Sequence, residues 1–213
     1  MTENQKNRRP LATRSSRWAQ ALAKNLAQRS IPTPNQISLL SIVVALFGGL
    51  LLAFSPNAVG LILAALFIQL RLLCNLLDGM VAVEGGKKTA NGVLYNEIPD
   101  RIADSVLILA FAAAVGQPWL GWLGALLAAL SAYIRLLGGS LGLEQRFSGP
   151  MAKPHRMALL TAGCLIGAVE WQLWYSQYAL WLALVLLIVG TLLTCVLRTR
   201  AISRELETQA RST

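Results

Sequence analysis

Long apolar runs separated by short polar breaks dominate the chain, and six of them, at about 37–54, 59–83, 93–115, 119–137, 156–174 and 179–197, have the length of a membrane span. A spanning helix needs ~20 mostly apolar residues. The breaks at 55–60 and 116–118 are too short to hold a soluble domain. Ahead of the first run the pattern changes. Trp18, Leu22 and Leu26 recur at four-residue spacing within 15–29, where Arg17, Lys24 and Arg29 supply positive charge. This predicts a short amphipathic helix on an anionic lipid surface, capped by Ser15 or Ser16. Pro32 and Pro34 end it, and Asn35 is placed to cap the first span. The expected fold is all-α: an integral membrane protein with six transmembrane helices preceded by a short amphipathic interfacial helix. The expected boundaries are a basic tail over 1–14, the juxtamembrane helix over 15–31, the six-helix domain over 32–198 and a second tail over 199–213.

Lysine and arginine give the orientation. Seven precede residue 30, Lys87 and Lys88 lie in the second loop, Arg146 and Lys153 in the fourth, and Arg198, Arg200, Arg204 and Arg211 follow the last span. The other three loops hold none. Both termini are therefore expected on the cytoplasmic side, in what would be a bacterial inner membrane. The first thirty residues have no apolar core, so no cleaved signal peptide is expected.

Composition agrees with a membrane protein. Charged residues are 14% of the chain against the usual ~25%. The net charge of +9 does not point to nucleic acid, because the basic residues flank apolar runs and form no basic, aromatic-interleaved domain. Cys74, Cys164 and Cys195 all lie in apolar runs with no CxxC, and are read as buried small hydrophobes.

The acids are concentrated. Of ten, five fall between 78 and 104: Asp78, Glu84, Glu97, Asp100 and Asp104. A carboxylate at membrane depth costs ~2.5–3.5 kcal/mol near a helix centre, which makes it a functional candidate. Arg71, Asn75, Asp78 and Ala82 share one face of the second span, and Asn96, Asp100 and Asp104 one face of the third. A turn containing Gly85, Gly86 and Gly92 is expected to join these two helices as an antiparallel pair with the site between them. Converging oxygen donors without Cys or His suit a hard cation, Mg²⁺ or Mn²⁺, that bridges carboxylates to a phosphate. A buried network of Arg71, Arg101 and the acids that only locks the helices together is the other reading.

Asp78-Gly79-x-x-Ala82, followed by Gly92-x-x-x-Asn96-x-x-x-Asp100, resembles the signature of the CDP-alcohol phosphatidyltransferases. The family pattern is D-x-x-D-G-x-x-A-R, eight or nine residues, then G-x-x-x-D-x-x-x-D, and its spacing is kept here. The resemblance implies transfer of a phosphatidyl group from a CDP-linked lipid such as CDP-diacylglycerol to an alcohol, with release of CMP. It implies Asp100 as general base and one or two Mg²⁺ or Mn²⁺ ions held by Asp78, Asp100, Asn75 and Asn96; Asp104, one turn below Asp100, is a further metal-ligand candidate that would add a negative charge. Gly79, Ala82 and Gly92 match the small positions that line the nucleotide site. A homodimer is also implied.

Three positions depart from the pattern: the first and third aspartates are Asn75 and Asn96, and the arginine after Ala82 is Val83. Asparagine offers an oxygen but no charge. Two readings follow, a working enzyme with a rebuilt metal site, or a catalytically impaired member that binds CDP-lipid or partners another lipid enzyme. Arg71 either supplies the cation that Val83 lacks or pairs with Asp104. Arg135 and Lys153, with Arg71, are candidates for acceptor binding, and His155 and Arg156 lie nearby; all are also explicable as ordinary positive charge on the cytoplasmic side. Gly163-x-x-x-Gly167 is a helix-packing face, within the chain or between copies.

Overall fold

The structure is a computed structural model that describes residues 16–29, 31–87 and 89–212. The described residues form seven helices and no strand: α1 Arg17–Ala27, α2 Pro34–Phe54, α3 Ala58–Glu84, α4 Gly92–Ala114, α5 Pro118–Ser140, α6 Lys153–Trp174 and α7 Tyr178–Ser212. Five of them, Pro34–Phe54, Ala58–Glu84, Pro118–Ser140, Lys153–Trp174 and Tyr178–Arg211, are long and apolar enough to cross a membrane. The chain is an all-α integral membrane protein. α4 is also 23 residues long, but Glu97, Asp100, Arg101 and Asp104 interrupt its apolar character. The expected tail at 1–14 lies outside the described residues, whereas most of 199–213 continues α7 as helix.

The start of α2 differs from expectation. Proline fits the first turn of a helix, where its missing N–H is not needed, so the helix begins at Pro34 and the preceding Thr33 is the cap. Thr33 Oγ1 accepts from the Gln36 amide at 3.3 Å, and Gln36 Oε1 accepts from the Thr33 amide at 2.9 Å, a reciprocal capping box. Asn35 instead donates to Thr89 Oγ1 at 3.4 Å.

The six long helices close into a ring in which α2 packs on α3, α3 on α6, α6 on α7, α7 on α5, α5 on α4, and α4 back on α2. Leu61, Ile68, Leu107, Ile108, Phe111, Met157, Leu160 and Leu184 fill its interior. The expected pairing of α3 with α4 is corrected here, because their backbones make no extensive contact and α2 packs against both. Gly48 and Gly49 explain this. A Cβ at Gly48 would lie 3.0 Å from Phe67 Cβ on α3, and one at Gly49 3.0 Å from Val106 Cγ1 on α4. Small residues on α2 thus draw in both neighbours, while long polar side chains on α3 and α4 span the space between those two helices.

α1 packs on the segment of α3 that carries the motif. It does so through Ala19 and Ala23, both fully buried against Leu76, Leu77, Met80 and Val81. Trp18 and Leu22 remain 54% and 38% exposed, whereas Leu26 packs against this cluster. Gly163 faces Ala183 and Phe111, and Gly167 faces Leu180, which makes this glycine pair a packing face within the chain. At the other end of α6, Glu170 accepts from the Tyr178 and Ala179 amides at 2.8 Å each and from Ser176 Oγ at 2.5 Å. It therefore satisfies amide donors at the start of α7 that have no partner within that helix.

Candidate active site

The polar faces of α3 and α4 meet through their side chains. Helical periodicity sets Arg71, Asn75 and Asp78 along one side of α3, and Asp100 and Asp104 one turn apart on α4. Arg71 is fully buried, and its Nη2 lies 2.6 Å from Asp104 Oδ1 and 3.3 Å from Asp100 Oδ1. The Asn75 amide nitrogen donates to Asp100 Oδ1 at 2.6 Å. α6 adds two cations: Lys153 pairs with Asp100, and Arg156 Nη2 lies 3.0 Å from Asp104 Oδ2. Arg101 approaches Asp100 Oδ2 at 3.6 Å.

Asp78 stands differently. It is 5% exposed and accepts from Ser38 Oγ on α2 at 2.6 Å. It lies within electrostatic reach of Asp100 and Lys153 but makes no ion pair among the described residues. Ser38 and Ser41 are both buried, and these hydroxyls in an otherwise apolar span were the sequence signal for this contact.

Other candidates are held elsewhere. Arg135 Nη2 lies 2.6 Å from both carboxylate oxygens of Glu97, its Nη1 donates to Gln145 Oε1 at 2.5 Å, and its guanidinium lies 5.0 Å from the centre of the Phe147 ring. It reaches Asp100 only through Glu97 and Arg101, which are 3.9 Å apart. Asn96, in the first two turns of α4, and His155 are exposed. Gly79, Ala82 and Gly92 are half-buried, and a Cβ at Gly92 would meet only Thr89 Oγ1, at 3.5 Å, among the described residues. Arg198, which the sequence marked only as a flanking charge, donates to the carbonyls of Ser131, Phe147 and Ser148 at 2.7, 3.2 and 2.9 Å. It thereby ties the α5–α6 loop to α7.

Residues of the CDP-alcohol phosphatidyltransferase family model match this chain over 31–189, which includes α2 to α6 and the start of α7. The chain belongs to the CDP-alcohol phosphatidyltransferase family. It is 28% identical over 145 residues to inner membrane protein YnbA of Escherichia coli (strain K12), an alignment covering 67% of this chain and 72% of that protein. The fold is also that of phosphatidylinositol phosphate synthase (PgsA1) of Mycobacterium tuberculosis. The CDP-DAG-bound crystal structure of that enzyme superposes with a TM-score of 0.74 at 21% identity, covering 88% of this chain and 94% of that one. Its complex with manganese and citrate gives 0.73 at 22% identity, covering 86% and 88%.

The donor set bears on the divalent cation that the family implies. Among the described residues, no three His, Cys, Asp or Glu side chains come together as a metal cage. Mg²⁺ is commonly held by only one or two carboxylates and completed by substrate phosphates and water. Asp78, a buried carboxylate held by two neutral hydrogen-bond donors, the Ser38 hydroxyl and the Gly79 backbone, fits that form of binding.

Proposed function

We propose that this family member transfers a phosphatidyl group from CDP-diacylglycerol, or a closely related CDP-lipid, to an alcohol and releases CMP. The observation that carries the reading is the convergence of Asp78 and Asp100 from two different helices in one buried cluster, beside small residues that leave room for a nucleotide. In this reading α4 is the sixth membrane span, its charges paired inside the bundle, and α1 lies in the interface. Both termini and the site face the cytoplasm, in accord with the loop charges, and the protein works as a homodimer.

The alcohol oxygen attacks the lipid-side phosphorus, and the bond to the bridging oxygen of CMP breaks with its electron pair leaving on CMP. Asp100 takes the alcohol proton. Asp78, with the side-chain oxygens of Asn75 and Asn96, would hold Mg²⁺ or Mn²⁺ beside Asp100, and the ion would supply charge stabilisation to the phosphates. Gly79, Ala82 and Gly92 admit the nucleotide close to the backbone. Lys153, beside Asp100, is the acceptor-binding candidate best situated for that role, with Arg71 behind it. Arg135 sets Glu97 and the end of α5 instead.

The test is CMP release from CDP-diacylglycerol by the purified protein with Mg²⁺ or Mn²⁺ and a panel of alcohols. Metal-dependent release lost in Asp100→Asn supports the transferase. Asn75, whose amide already donates to Asp100, favours one second reading, a member that binds CDP-lipid without turnover. Metal-dependent lipid binding with no CMP from any acceptor would establish that reading.

A further inference from the structure

The site holds three buried carboxylates, and they are not equivalent. Asp104 lies between Arg71 and Arg156, and Asp100 takes Arg71, Lys153, Arg101 and the Asn75 amide. Their charge is met by the protein itself. Asp78 accepts from Ser38 Oγ and from the Gly79 backbone, and Lys153 acts on it only through space. An ionised carboxylate away from water needs a counter-charge or a metal, and among the described residues Asp78 is the one of the three with no cation in direct contact.

We infer that the site takes a single divalent cation, centred on Asp78, and that Arg71 and Lys153 are fixed cations standing where a second ion would otherwise be needed. The inference rests on the transferase reading and specifies its metal requirement. Four cations contact Asp100 and Asp104, so with Asp78 included the cluster already carries one net positive charge. One divalent ion and a diphosphate with two negative charges return it to that value. A second ion would add two further positive charges in a region nearly closed to water, where uncompensated charge is most costly. It would also have to displace donors from Asp100, whose Oδ1 is shared by Arg71, Lys153 and Asn75. The two asparagines then have a reason. Aspartates at positions 75 and 96 would add negative charge that Arg71 and Lys153 have made unnecessary.

The experiment counts Mn²⁺ by electron paramagnetic resonance on the full chain in lipid nanodiscs, with saturating CDP-diacylglycerol and with protein-free nanodiscs as the blank. One bound Mn²⁺ per chain is expected, lost in Asp78→Asn. Arg71→Ala, verified as folded by gel filtration and thermal unfolding, is expected to gain a second Mn²⁺ as oxygens of Asp100 and Asp104 are released. Two ions in the wild-type protein overturn the inference, as does lipid binding that persists undiminished in chelator. Arg71→Ala that folds and still binds one ion removes Arg71 from the role. If that variant does not fold, the wild-type count and Asp78→Asn decide. Failure to bind CDP-diacylglycerol with or without Mn²⁺ would instead sink the transferase reading, which separates the two failures.

Discussion

Arg71 on α3 and Asp104 on α4 meet at 2.6 Å in the interior of the bundle, and the same guanidinium nitrogen lies 3.3 Å from Asp100. One side chain thus joins two helices whose backbones do not pack, and fixes Asp100 relative to α3. Removing one partner of a buried ion pair leaves the other charged and unpaired, at a cost of about 3–5 kcal/mol. Asp104→Ala would leave Arg156 without a carboxylate and Arg71 with only its longer contact to Asp100. We expect a large fall in the thermal unfolding temperature in detergent, restored in part when Arg71→Met is added, because the double variant no longer buries the Arg71 charge.

Asp100 differs in that its loss should affect turnover beyond any cost of leaving Lys153 without its carboxylate, so activity is compared per folded molecule. Asp100→Asn keeps the shape and still accepts hydrogen bonds from Arg71 and Lys153, but it cannot accept the alcohol proton. General-base catalysis contributes typically 10²–10⁴-fold. CMP release should fall by about that factor while the variant remains monodisperse and inserted. A variant with undiminished turnover would remove Asp100 from the role of base.

Helical periodicity made much of this cluster legible. Spacings of three and four place Asn75 with Asp78 and Asp100 with Asp104, and pairing with Asp104 is one of the two roles that the sequence offers Arg71. What periodicity does not carry is which helices become neighbours. That α2 lies against both α3 and α4 depends on Gly48 and Gly49 meeting Phe67 and Val106, a matter of shape across helices far apart in sequence. The partner of Arg135 was hidden for a similar reason. Glu97 is 38 residues away, and nothing in the loop charges distinguishes an arginine committed to a carboxylate from one left to bind a substrate. Glu170 carried a weaker signal as a lone acid at the end of an apolar run. Its capping of α7 depends on how the 175–177 turn folds back.

Glu170 is remote from the motif along α6, and its variants should separate stability from chemistry. Its carboxylate accepts two backbone amides of α7 and the Ser176 hydroxyl. Loss of a helix cap costs about 0.5–2 kcal/mol. Glu170→Ala should lower the unfolding temperature by a few degrees, with Glu170→Gln intermediate because an amide oxygen still accepts. CMP release per folded molecule should be unchanged in both.

The glycines of this chain make a complementary test, because the fold requires some of them and leaves others free. At Gly48 a Cβ would press on Phe67, so Gly48→Leu should overpack the α2–α3 contact and cost about 1–3 kcal/mol. At Gly92 the nearest described atom to a new Cβ is 3.5 Å away, an ordinary contact, and the backbone there is plain first-turn helix. Packing of the described residues gives no reason for glycine at that position, whereas a nucleotide lying against the backbone would. Gly92→Val should therefore leave the unfolding free energy within about 0.5 kcal/mol of wild type. It should weaken CDP-diacylglycerol binding at least tenfold, corresponding to about 1.4 kcal/mol. Isothermal titration on Gly92→Val beside Gly48→Leu reads the difference directly. Unimpaired binding in Gly92→Val would place the nucleotide away from the start of α4.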